Sequence, residues 1–155
     1  MTREKLLATI ERAARKNHTT VYLTGKGISQ LPDEIGELAN LRQLYLSTNK
    51  LTSLPESIGN LTNLHQLWLD GNQLTTLPSS LSRLKRMGEL KLAGNPLNPA
   101  VQSAYNAGLK ELRAYLRSLE EAEPLYEAKL VLVGEGGVGK TTLLKALTGR
   151  EPREG

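Results

Sequence analysis

Cysteine is absent from this 155-residue chain. That excludes a disulfide framework and thiolate metal sites, and it fits a reducing compartment. Phenylalanine is absent too, so an apolar core has to be built from leucine. No apolar run is long enough to span a bilayer. The opening stretch MTREKLLATIERAARKN is charged from its third residue and lacks the apolar centre of a signal peptide. The expectation is a soluble, cytoplasmic protein with no membrane insertion. Charge of one sign is also missing: the net charge is +4, but Lys and Arg are mixed with Glu along the chain. The densest basic group, Arg83, Lys85 and Arg86, has no interleaved aromatics of the kind a stacking platform for nucleic acid needs. It reads as a solvated face, and no nucleic-acid partner is expected.

What is present is a repeat. Asn49, Asn72 and Asn95 are spaced by 23 residues, inside the frames LRQLYLSTNKLTSLP, LHQLWLDGNQLTTLP and MGELKLAGNPLNPA. An earlier copy, HTTVYLTGKGISQLP, keeps Val21, Leu23, Ile28 and Leu31 but has Lys26 at the Asn position and His18 at the first Leu position, as an atypical terminal repeat would. In each copy two apolar residues such as Leu44 and Leu46 alternate, so both face one side of a short strand. Asn stands where the chain turns, able to bond backbone groups that would otherwise be buried unsatisfied. Lys26 cannot accept such a bond, so the first turn is expected to be looser or better hydrated. The return segments LPDEIGELANL, LPESIGNLTNL and LPSSLSRLKRM carry apolar residues at helical spacing after Pro32, Pro55 and Pro78.

The pattern LxxLxLxxNxL resembles the leucine-rich repeat family. It implies an α/β solenoid with parallel strands on the concave side and four repeats over residues 18–98. A solenoid's ends need covering. Residues 1–17 read as a capping helix, with Thr2 as its cap and Leu6, Leu7, Ile10, Ala13 and Ala14 on one side. Asn98-Pro99 opens a second helix, a cap and connector over 99–123, weakened at Gly108 and ended by Pro124.

From residue 124 to 155 the pattern changes. The run Lys129–Val133 reads as a parallel strand buried on both faces. It precedes GEGGVGKT and then a helical stretch, which is GxxxxGK[ST] between strand and helix. Backbone amides of Gly134, Glu135, Gly136, Gly137, Val138 and Gly139 are expected to wrap phosphates, with Glu135 turned outward. Lys140 reaches the β- and γ-phosphates, Thr141 ligates Mg²⁺ and Thr142 opens the helix. The loop resembles those of Ras-like GTPases. Repeats, a connector, then KLVLVGEGGVGKTTLL resemble the Roco family, in which a Roc GTPase domain precedes a COR dimerisation domain. The resemblance implies GTP or GDP with Mg²⁺ as cofactors of a complete protein, and dimerisation through domains absent here. After Gly149 only REPREG follows, without DxxG, NKxD or switch segments, so the expectation is a catalytically incomplete piece. Two alternatives stand: a free-standing repeat module, and an NLR-like signalling ATPase, which usually has the reverse module order.

His18 and His65 lie in different repeats without partner ligands and do not suggest a metal site. No Ser/His/Asp or Cys/His grouping occurs. The remaining candidate site is the concave face, where residues between the core leucines project. One column is Tyr22, Tyr45, Trp68 and Lys91; Gln43, Gln66 and Asp70 belong to its flanks. An aromatic row framed by polar groups suits a protein partner, or downstream domains of the same protein. The bland alternative is that the rings merely stack on one another.

Overall fold

A computed structural model describes residues 1–133. Met1–Arg117 form one compact unit, and the described residues beyond it, 118–133, are helical. The chain enters through α1 (Arg3–Arg15), capped by Thr2, whose hydroxyl accepts from the Lys5 amide. Its apolar side, Leu6, Ile10 and Ala13, is buried against the first repeat.

Four three-residue strands follow: β1 (Thr20–Tyr22), β2 (Gln43–Tyr45), β3 (Gln66–Trp68) and β4 (Glu89–Lys91). They form one parallel sheet in sequence order. The register is in phase throughout, so Val21, Leu44, Leu67 and Leu90 line one row and face the core. Between strands the chain returns through 3₁₀ turns at Asp33–Glu37, Glu56–Asn60 and Ser79–Arg83. These are tighter than the helical segments the apolar spacing suggested. Five residues leave room for little more than a turn, and each is bounded by Pro32, Pro55 or Pro78 in an extended conformation. A single leucine-dominated core runs from α1 to the last repeat and takes in Val101, Leu112 and Leu116.

The Asn positions form a ladder between repeats. Asn72 donates to the carbonyls of Leu46 and Leu69 and accepts from the Leu51 amide. Asn95 does the same one repeat later, at Leu69, Leu92 and Leu74. Asn49 serves the first turn, accepting from the amides of Lys26 and Ile28 and donating to the Leu23 carbonyl. The looseness expected at Lys26 is therefore not found. Each Asn bonds one carbonyl of its own repeat and the turn of the repeat before it, so with Lys in the first repeat no earlier turn is deprived and the Leu23 carbonyl still receives Asn49. The Lys26 carbonyl is itself taken by the Met1 ammonium at 2.5 Å.

Two expectations about the C-terminal segment need correction. The helix expected from residue 99 is broken at Gly108 (φ 128°) into α2 (Pro99–Ala107) and α3 (Leu109–Val133). A residue with a side chain rarely adopts that φ, so glycine turns the chain where a uniform helix was read. The second correction concerns Lys129–Val133, which is helical and continues α3 past Pro124. A strand needs a paired neighbour for its backbone groups. A helix closes those bonds within itself. Asn98 caps α2 as its sequence suggests, its side chain accepting from the Val101 amide.

Candidate functional site: the concave face

The in-phase register carries the side chains between the core leucines into columns across the sheet. Tyr22, Tyr45, Trp68 and Lys91 form the central one. The rings of Tyr22 and Tyr45 stack, with centroids 5.0 Å apart and an interplanar angle of 14°. Tyr45 meets Trp68 edge to face, at 4.7 Å and 75°. Lys91 closes the row, its Nζ 3.4 Å from the Trp68 ring centroid. Tyr22 lies at the open end and is 72% exposed.

A polar ladder runs beside the rings. Thr20 donates to Gln43 Oε1 (2.9 Å), Gln43 Nε2 to Gln66 Oε1 (2.7 Å) and Gln66 Nε2 to Glu89 Oε2 (2.8 Å). The Tyr45 hydroxyl joins it by donating to Gln66 Oε1 at 2.9 Å. Glu89 also pairs with Lys91 at 3.5 Å. On the other flank Ser47 donates to Asp70 Oδ1 at 2.7 Å. Each residue type follows from the 23-residue period: amides stacked one strand apart can donate to and accept from the next copy. The row is thus held in place by its own neighbours. That costs it side-chain freedom in the free protein, and less freedom remains to be lost on binding.

All seven concave-face candidates fall within two adjoining columns and one flank of this sheet. The stacking that the bland alternative invokes is present, and it leaves one face of Tyr22 open. The contribution of Thr48 was not apparent beforehand. It follows Ser47 at the rim and has φ 57°, in the left-handed region where the other repeats place Gly25, Gly71 and Gly94. The substitution was visible in the repeat alignment, but the backbone conformation was not.

His18 and His65 are not brought together with other ligands: among the described residues no group of three His, Cys, Asp or Glu side chains could hold a metal ion. No described helix is long and apolar enough to cross a membrane. Gly134, Glu135, Gly136, Gly137, Val138, Gly139, Lys140, Thr141 and Thr142, assigned to phosphate and Mg²⁺ binding, lie outside the described residues.

Comparison with known proteins follows the same division. None of the curated proteins matches the chain. Among solved structures, a leucine-rich repeat protein of Leptospira interrogans is 42% identical, with a TM-score of 0.57 over 60% of this chain and 24% of that one. The leucine-rich repeat domain of the type III effector XopL is 26% identical, with a TM-score of 0.56 over 61% of this chain and 32% of its own. An internalin from Listeria monocytogenes, 24% identical with a TM-score of 0.53, shares the fold over 65% of this chain and 32% of that one. The chain therefore spans a third or less of each of these three structures. A family model for a leucine-rich repeat region matches residues 21–131. With its in-phase strands and Asn ladder, this chain belongs to the leucine-rich repeat family.

Proposed function

We propose that the chain is a protein-binding module that takes an extended peptide or a protein surface on its concave face. The observation that carries this reading is the continuous row Tyr22–Tyr45–Trp68, with Tyr22 exposed at its open end and a fixed polar ladder alongside. Aromatic anchors framed by polar groups supply much of the energy at protein interfaces. Solenoids offer extended concave surfaces for such use. The setting proposed is cytoplasmic, and the ligand is another protein or downstream domains of the same one. The experiment is a selection from a displayed peptide library against the whole chain. Tyr22→Ala and Tyr45→Ala should each weaken the selected peptides by about tenfold or more, as for hot-spot residues. Full affinity for both variants would place recognition elsewhere.

A second reading rests on the sequence GEGGVGKT alone. Here the chain is the front of a Roco-type GTPase, and Gly134–Thr142 bind GTP or GDP with Mg²⁺ in the complete protein, Thr141 holding the metal. A nucleotide-binding measurement on a chain extended past Gly155 tests it. Lys140→Ala and Thr141→Ala should abolish tight binding, and guanine should be preferred over adenine. Unchanged affinity in both variants, or a preference for ATP, would remove this reading and leave the first intact.

A further inference from the structure

At the end of the repeat stack, four cationic side chains from two elements surround one surface depression of about 280 Å³. Lys85 comes from the segment after the last 3₁₀ turn; Lys110, Arg113 and Arg117 come from α3, with Ala114 between them. Lys110, Arg113 and Arg117 are three and four residues apart, so the helix presents them on one face. The positions equivalent to Lys85 in the two preceding repeats are Ala39 and Thr62, so its charge is not a requirement of the repeat.

A solvated cap would explain polarity here, but not polarity of one sign. The opposite cap, α1, exposes Glu4 and Glu11 among its Lys and Arg residues, and Arg15 pairs with Glu11 at 3.5 Å. No carboxylate lines the depression, and among the described residues Lys85, Lys110 and Arg117 have no ion-pair partner. Arg113 is fixed in place, because its Nη2 donates to the Met87 carbonyl while its Nε finds no acceptor. Like charges gathered without a counter-charge repel one another, and a compact anion relieves that repulsion.

We propose that this depression binds a phosphoryl group. Its volume is small for an organic ligand pocket. Ala114 is its sole apolar lining residue, which leaves no anchor for a hydrophobic partner. No aromatic lines it, so nucleobases have nothing to stack on. Convergent Arg and Lys side chains around a concave site match the charge and the several acceptor oxygens of phosphate. The phosphoryl group comes either from a free anion or from a phosphorylated side chain of another protein.

Calorimetric titrations of the full chain carrying Lys140→Ala, at fixed ionic strength, separate these sources and exclude the loop. The probes are inorganic pyrophosphate, a phosphoserine peptide and its unphosphorylated twin. Binding of pyrophosphate with no advantage for the peptide identifies a free anion; tighter binding of the phosphopeptide identifies a modified protein. In either case Lys85→Ala and Arg117→Ala should each weaken binding by about tenfold, the scale of one charge-assisted hydrogen bond. Lys5→Ala and Lys50→Ala should leave it unchanged. Lys85 and Arg117 are exposed, so the variants should melt with the parent. Three results would overturn the proposal: no binding of either phosphoryl probe, equal weakening by Lys5→Ala, or undiminished binding in Arg117→Ala.

Discussion

Lys91 Nζ lies 3.4 Å from the centroid of the Trp68 ring while pairing with Glu89 on its own strand. The last repeat thus ends the aromatic row with a cation in place of a fourth ring. Trp68 is the sole tryptophan of the chain, so the emission comes from this one ring. Lys91→Met keeps the apolar stem and removes the charge. It should shift Trp68 emission and lower stability by about 0.5–1 kcal/mol, the value of a solvent-accessible cation–π contact. Unchanged emission would mean that Lys91 does not rest on the ring in solution.

Trp68 packs on two sides, which makes it a poor probe of binding. Removing it disturbs Tyr45 as well, so Trp68→Ala should lower stability by about 1–2 kcal/mol from the lost aromatic and cation–π contacts. Tyr22 has a ring neighbour on one side only. Tyr22→Ala should cost less than Trp68→Ala in a denaturant titration. The reverse order would show that the open end of the row is the better packed one.

The Asn ladder makes a sharper stability prediction. Asn72→Ala removes the acceptor of the buried Leu51 amide, while the Leu46 and Leu69 carbonyls keep the side-chain amides of Asn49 and Asn95. At about 1–3 kcal/mol for one buried group left unsatisfied, the loss should be about 1–3 kcal/mol. Chemical denaturation measures it. A loss near zero would mean that solvent already reaches this turn.

How much of this was legible in the sequence differs by residue. The strands, the core leucines and the caps at Thr2 and Asn98 follow from periodicity and local chemistry, because the same environment recurs every 23 residues. The concave column followed from alternation, but its stacking geometry and the Gln ladder depend on ring and amide orientations that no periodicity specifies. The turn at Lys26 keeps its bonds because Asn49 of the next repeat serves it, a reach between repeats that spacing alone does not show. The helix at Lys129–Val133 was missed for another reason. A run of Leu and Val is read as a strand by composition, whereas the choice between strand and helix depends on which neighbours are available.

Thr48 offers a gain in stability. Its φ of 57° is costly for a β-branched residue, and the three equivalent positions are glycine. Left-handed conformation costs about 1–2 kcal/mol in a residue with a side chain, and glycine gives back part of this through its unfolded-state entropy. Thr48→Gly should therefore stabilise the repeats by roughly 0.5–1 kcal/mol. A lower melting temperature in this variant would show that the Thr48 side chain makes a compensating contact.

The most direct test of a concave binding surface is an amide chemical-shift map of the chain with a library-selected peptide. The strands Thr20–Tyr22, Gln43–Tyr45, Gln66–Trp68 and Glu89–Lys91 carry the proposed site, and the 3₁₀ turns Asp33–Glu37, Glu56–Asn60 and Ser79–Arg83 lie on the return segments. The account predicts shifts concentrated in the strands, strongest around Tyr22 and Tyr45, and nearly silent turns. Shifts confined to the turns, with the strands unmoved, would contradict it.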